Sequence, residues 1–309
     1  MTLKHLIILT IIIGTILVII FENRNPVKTI AWCMVLTFMP VLGLLLYIVF
    51  GMDNRQRRQI KDEDLRRLKA ITETRQSDNI ASETPVQYEK LACMLRNMNH
   101  AYPMEGNNVE IMTDFRTMSD RLVADIESAR HHINMLFFKF EDDAAGRRIA
   151  DALIRKAEEG VQVRLIYDEA GNLMVPRKFY RKLRRHGIQV RGFIRIFLPI
   201  LSRDYNSRNH RKVVVIDGKT GYMGGMNIAQ RYADGLKWGI WRDTHIRITG
   251  PAVSELQTSF LTDWKFTKGD DPDLDAMYPY NPPCGNTLMQ IVTGGSMDKW
   301  NVMMQAYMT

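Results

Sequence analysis

His210-Arg211-Lys212-Val213-Val214-Val215-Ile216-Asp217 decides the fold, together with Gly224-Gly225-Met226-Asn227 just downstream. Lys212 to Ile216 is β-branched and apolar, which predicts a strand with a histidine and a lysine at its entrance. Residues i and i+2 of a strand share a face, so His210 and Lys212 project together. Asp217 and Gly218 predict a turn, and Lys219 to Met223 reads as the returning strand. Gly224 and Gly225 let the backbone come close to a neighbour, and Asn227 adds a side-chain amide. An imidazole, an ammonium and an amide beside open backbone N–H groups predict a phosphate site that contains a nucleophile.

Around this hairpin, helices and strands alternate. Thr117 to His131 reads as a helix, Ile133 to Phe140 as a buried strand, and Ala144 to Glu159 as a helix closed by Gly160. Val161 to Tyr167 is a strand ending in Asp168, Pro176 to Arg185 a basic helix, and Ile188 to Phe193 a strand. Beyond the hairpin, Asp243 to Ile248 reads as a strand and Ala252 to Phe266 as a helix. The pattern predicts an α/β domain, one main sheet flanked by helices, over residues 109–269. His210 then lies at a strand end bordering loops, where such sheets bind ligands. Val109 to Met112 is expected as an edge strand, and Tyr88 to Met98 as a short amphipathic helix. Glu141-Asp142-Asp143 is expected to cap the helix that follows. His131-His132 reads as solvent-facing at a helix end. Ser202 to Asn209 is polar and expected to edge the site.

The N-terminal residues are of another kind. Leu6 to Phe21 is an uncharged apolar run, and Val27 to Met52 is a second, broken only by Lys28 near its start. Each approaches the roughly 20 residues that cross a bilayer core, which predicts a two-helix transmembrane hairpin over 1–52. No small-x-small cleavage site follows the first run. Arg55, Arg57, Arg58, Lys61, Arg66, Arg67 and Lys69 come next, which by the positive-inside rule places that side in the cytoplasm. Residues 53–108 are expected as a basic juxtamembrane and linker region. Asp270 to Pro283 reads as a linker, and Leu288 onward as the incomplete start of a second half.

The chain has 309 residues, 46% hydrophobic, with a formal net charge of +8. A basic balance points to an anionic partner, either nucleic acid or a surface of acidic lipids. No basic groove interleaved with aromatics is evident, so nucleic acid is not expected. Cys33, Cys93 and Cys284 have neither metal-ligand spacing nor the even number of a disulfide set, which fits a reducing compartment.

The spacing His210-x-Lys212-x4-Asp217-x6-Gly224-Gly225-x-Asn227 resembles the HKD motif of the phospholipase D superfamily. Arg208-Asn-His-Arg-Lys-Val-Val-Val-Ile-Asp-Gly-Lys219 and Trp241-Arg-Asp-Thr-His245 narrow the resemblance to bacterial cardiolipin synthase. Asn25-Pro26 through Pro40-Val-Leu-Gly43 belongs to the same pattern, so the resemblance covers the whole chain. That family carries two HKD motifs per chain, whereas this sequence has one. The resemblance implies a membrane-anchored phosphatidyltransferase of the inner (cytoplasmic) membrane that joins two phosphatidylglycerols into cardiolipin and releases glycerol. It implies a phosphohistidine intermediate and no cofactor.

In that chemistry His210 attacks phosphorus, while Lys212, Asn227 and the backbone near Gly225 hold the phosphate oxygens. Lysine and amide donors supply the positive field, so no metal is expected. Asp217 is expected to orient the site, because an exposed carboxylate is ionised at neutral pH. The proton donor for the leaving alkoxide is not in the motif, and His245 is the nearest candidate. Arg242 and Asp243 are expected to pair with each other or to border the substrate. A homodimer, or a complementing second HKD half, is the expected source of the second histidine. A truncated, inactive chain and a hydrolytic phospholipase D are the competing expectations.

Overall fold

The computed structural model describes residues 3–21, 26–51, 62–194, 208–237, 239, 241–294 and 302–308. At the N-terminus lie α1 (Leu3–Phe21), α2 (Pro26–Phe38) and α3 (Pro40–Leu46), the last running into a π-helical turn, Tyr47–Gly51. The expected transmembrane hairpin is overturned here: among the described residues, no helix is long and apolar enough to cross a membrane. The second apolar run breaks at Pro40, which lacks an N–H and cannot continue the helix, and Met39 leaves helical geometry (φ −133°, ψ 67°). That leaves α2 with 13 residues and α3 with 7, well short of the roughly 20 a bilayer core requires. α1 has 19 residues, but Lys4 and His5 occupy its first turn. Its uncharged part, Leu6–Phe21, spans about 24 Å at 1.5 Å per residue, against a hydrocarbon core of about 30 Å. Ile12, Ile19, Leu36 and Tyr47 bury one another, while Val18, Phe21, Val27 and Phe38 stay exposed.

From Asp62 the chain forms α4 (Asp62–Arg75), α5 (Glu89–Asn99), β1 (Met104–Met112), α6 (Phe115–Ser128), β2 (His132–Phe137), α7 (Ala144–Glu158), β3 (Gln162–Asp168), α8 (Arg177–Arg185) and β4 (Gln189–Phe193). β5 (Val213–Ile216) and β6 (Thr220–Gly224) make the expected hairpin. After it come α9 (Arg231–Asp234), β7 (His245–Thr249), α10 (Val253–Phe266), α11 (Leu274–Met277), β8 (Thr287–Met289) and α12 (Val302–Met308). The strands form one sheet in the order β4-β3-β2-β5-β6-β7-β1-β8. β2, β3 and β4 are parallel, and the other pairings are antiparallel. The α/β reading holds. Over Val109 to Met112, the expected edge strand, β1 pairs with β7 alone, while β8 takes its other side at Met104 and Asn107. The expected site-edging residues 202–207, and Arg55 to Lys61 of the basic cluster, lie outside the described residues.

Side-chain alternation sorts the sheet into two packed faces. Ile133, Met135 and Phe137 of β2 bury against Met118, Leu122 and Ile126 of α6 and Ile149 and Leu153 of α7. Leu136, Ile166, Val213 and Val215 point the other way, onto Leu256, Phe260 and Trp264 of α10. α4 covers the outer side of α10, with Thr72 Oγ1 2.6 Å from Thr258 Oγ1, so α10 is buried along most of its surface. His132 shares the α10 side of the sheet and is fully buried, contrary to its solvent-facing reading, because it opens β2 rather than closing α6. Asp143 caps α7 as expected, its carboxylate accepting the Gly146 N–H at 2.9 Å.

One side chain joins the parallel half of the sheet to the hairpin. Asp217 stands at φ 52° in the β5–β6 turn. Its carboxylate accepts the backbone N–H groups of Arg130 (2.8 Å), His131 (2.8 Å) and His132 (2.9 Å) at the entrance to β2. Its own N–H donates to the His132 carbonyl at 2.9 Å. Burial alone pushes this carboxyl up, but the three donors outweigh it and hold the group below the ordinary carboxylate value. A depressed pKa contributes stability above the unfolded value of about 3.9, and that contribution is lost as pH falls below it. Asp217→Ala should lower unfolding free energy by about 2–4 kcal/mol in denaturant titrations at neutral pH. The gap between variant and parent should close under acid.

Candidate active site

The site forms at the edge where β2 and β3 end and β5 begins. This follows from the antiparallel pairing of β5 with β2, which sets Val213 opposite Leu136 and brings His210 and Lys212 beside Phe138. The His210 ring packs on the Phe138 ring with centroids 4.5 Å apart. Lys212 Nζ lies 3.1 Å from His210 Nδ1, donates to the His210 carbonyl at 2.7 Å, and sits 5.5 Å from the centre of the Phe138 ring. Lys212 is 3% exposed, whereas His210 faces solvent at the mouth. Imidazole and ammonium are therefore in contact, as their two-residue spacing predicts.

The electrostatics suit nucleophilic attack. Burial, then the nearby Lys212 charge, lower the His210 pKa below the ordinary value, against the pull of Asp168 and Asp243. The imidazole is thus neutral at neutral pH. Burial also lowers Lys212, to about 8, with Asp243 opposing. It remains a cation at neutral pH, held close to its titration point.

Asp168 is the residue that sequence reasoning passed over. One carboxylate oxygen accepts the N–H groups of Ala170 (2.8 Å) and Gly171 (3.2 Å), and the other accepts the Asn209 N–H at 3.1 Å. Arg208 lies 3.6 Å away. Asp168 thereby fixes the backbone immediately before His210. A carboxylate closing a parallel strand was the available signal. Phe138 carried none, since it sits in an uninterrupted apolar run.

The remaining sequence candidates fall into three positions. Asn227 is buried beside the site: its Oδ1 accepts the Lys139 N–H at 3.0 Å, and its Nδ2 donates to Tyr232 Oη at 2.8 Å, leaving one amide hydrogen unassigned. Gly225 donates its N–H to the Thr244 carbonyl at 2.9 Å, so that donor is already engaged. What Gly225 supplies is space: a Cβ there would lie 2.0 Å from Asp243 Oδ1. Asp243 lies near enough to His210 and Lys212 to act on their charges, its Oδ1 accepts the Thr244 N–H at 2.7 Å, and Arg242 is exposed. Asp217 lies at the far end of β5, away from His210, in the role described above.

His245 is fully buried, stacked 6.5 Å from Phe137, and neither ring nitrogen has a hydrogen-bond partner among the described residues. Burial and the Lys212 charge lower its pKa to about 4. Burial keeps this imidazole neutral and away from solvent at neutral pH, which weighs against the general-acid role expected of it. Among the described residues, no cluster of three His, Cys, Asp or Glu could hold a metal ion.

The two glycines can be separated by substitution. A Cβ at Gly224 meets backbone, 2.5 Å from His245 Cα and 2.5 Å from the Thr244 carbonyl oxygen. Gly224→Ala should therefore destabilise the fold by about 1–3 kcal/mol in thermal or denaturant unfolding. Gly225→Ala meets the Asp243 carboxylate and should keep the fold while moving that carboxylate. The pH profile of His210-dependent chemistry would report the difference.

Comparison with known proteins agrees with this geometry. Residues 122–264 match the family described as "Cardiolipin synthase, PLD-like domain". Residues 10–51 match "Phospholipase_D-nuclease N-terminal". The major cardiolipin synthase ClsA of Bacillus subtilis is 38% identical over 308 residues, covering 96% of this chain and 64% of that protein. The cardiolipin synthase of Oceanobacillus iheyensis is 34% identical, over 94% of this chain and 62% of its own length. That of Listeria monocytogenes serotype 4a is 34% identical, over 98% of this chain and 65% of its own length. The chain thus spans a little under two thirds of the relatives it matches. By these matches the chain is similar to the bacterial cardiolipin synthases, and its residues 122–264 carry their phospholipase D-like domain.

Proposed function

We propose that this chain carries the nucleophilic half of a cardiolipin synthase-type phosphatidyltransferase. The observation that carries the reading is the Lys212–His210 contact at the sheet edge, where a neutral imidazole faces solvent beside a buried cation. One His210 ring nitrogen attacks the phosphorus of phosphatidylglycerol. The bond from phosphorus to the glycerol headgroup breaks, and the departing alkoxide takes a proton and leaves as glycerol. A second phosphatidylglycerol then gives up a hydroxyl proton, attacks the phosphohistidine and restores His210, yielding cardiolipin. Lys212 and the second amide hydrogen of Asn227 hold the nonbridging oxygens as charge builds there. Asp243 and Asp168 favour the positive charge that forms on the imidazole. Asp217 supports this chemistry only by holding the sheet.

The proton for the leaving glycerol is assigned to a second HKD histidine, supplied by another copy of the chain or by a complementing half. The substrate resides in a membrane, and the exposed apolar side chains of α1 to α3 fit association with it.

The direct test is lipid conversion by the chain reconstituted into phosphatidylglycerol vesicles. Cardiolipin and glycerol should form, and His210→Ala should abolish both. Phosphatidic acid as the main product would replace the transferase with a hydrolase, and no product from a folded chain would sink autonomous catalysis.

Activity should describe a bell against pH. His210 must be unprotonated, so the acid limb falls below the ordinary histidine value of about 6.5. Lys212 must be protonated, so activity declines as pH rises through about 8. Lys212→Arg should move the alkaline limb upward by removing the titrating group.

A further inference from the structure

The edge that carries His210 also carries exposed apolar side chains next to exposed cations. Leu173 and Met174, in the loop leaving β3, are 50% and 95% exposed. Trp241, just before β7, is 45% exposed, its ring 5.6 Å from that of Tyr232. β3 ends and β7 begins at the same edge, because β2 and β3 are parallel while β5, β6 and β7 alternate in direction. α8 starts from that edge and contains no acidic residue. Lys182 is paired with Asp151, while Arg177, Lys178 and Arg181 are exposed.

Apolar tips beside cations match one surface chemistry: the apolar groups enter the headgroup–acyl boundary of a bilayer and the cations meet lipid phosphates. Single-stranded nucleic acid would ask instead for aromatic faces on which successive bases stack. The rim offers one exposed tryptophan, Trp241, rather than a succession of such faces, and its tips Leu173 and Met174 are aliphatic. We propose that this rim docks on the surface of an anionic phospholipid bilayer, turning the mouth of the His210 site towards the lipid phosphates. The inference rests on the lipid-directed reading of the site and adds the surface that presents lipid to it.

The test uses the full chain with Cys33, Cys93 and Cys284 replaced by serine and an environment-sensitive fluorophore on Met174→Cys. A second preparation carries the label on Lys219→Cys, in the turn at the opposite end of the hairpin. Both are bound to vesicles of phosphatidylglycerol and phosphatidylcholine in equal parts, and to phosphatidylcholine alone. The label at 174 should shift to the blue on the anionic vesicles only, and the label at 219 on neither. Replacing Arg177, Lys178 and Arg181 by glutamine should weaken insertion of the 174 label about fivefold per charge removed. A 174 label that stays in water on anionic vesicles carrying the chain overturns the proposal. So does equal insertion into phosphatidylcholine, or protection by a single-stranded oligonucleotide instead of vesicles. Lipid turnover is measured on the same samples with the proton-donating half supplied. Insertion without turnover sinks the enzymatic reading alone, and turnover without insertion sinks the docking rim alone.

Discussion

The arrangement depends on a carboxylate at the end of β5 remote from His210. Asp217 gathers three consecutive backbone N–H groups at the start of β2 and returns its own N–H to the same segment. That exchange fixes β5 antiparallel to β2, and the register carries through to the other end, where Val213 meets Leu136. Only in that register do His210 and Lys212 emerge beside Phe138. Such bonds are worth more than neutral ones because the acceptor is charged and partly withdrawn from water.

At the working end, burial does most of the electrostatic tuning. The same low-dielectric wall that keeps His210 neutral also brings Lys212 down to about 8. Both shifts favour the neutral form because burial penalises positive charge, and the Lys212 charge lowers His210 further. Asp243 opposes both shifts, and Asp168 opposes that of His210. The balance gives a neutral imidazole beside a lysine that is still charged.

Much of this was legible in the sequence, and the exceptions have physical causes. The alternation of elements, the hairpin and the contact of His210 with Lys212 follow from period-2 side-chain direction and turn residues, which are local. Asp168 was harder to see, since its partner Asn209 is remote in sequence and joined only by the fold. Gly225 was read as a phosphate donor because a bare glycine shows no sign of where its N–H goes. Its N–H goes to Thr244, and its missing side chain accommodates Asp243. His245 looked available beside a reactive motif until β6 and β7 closed over it. The apolar N-terminal runs had nearly the composition of spanning helices. Length decided against them, through Pro40 in one and the early Lys4 and His5 in the other.

The positive φ of Asp217 bears on how the motif itself should be understood. At φ 52° most side chains are strained, and asparagine and aspartate are among the few that adopt it readily. Asparagine keeps the turn but gives up the charge that holds three donors, while glutamate keeps the charge but is poorly suited to the turn. Aspartate alone meets both demands. The interval from His210 to Asp217 is then a measure of β5, one end set by chemistry and the other by architecture. A residue inserted into β5 would reverse every side chain beyond it and part the reactive pair from its anchor, though each letter of the signature remained.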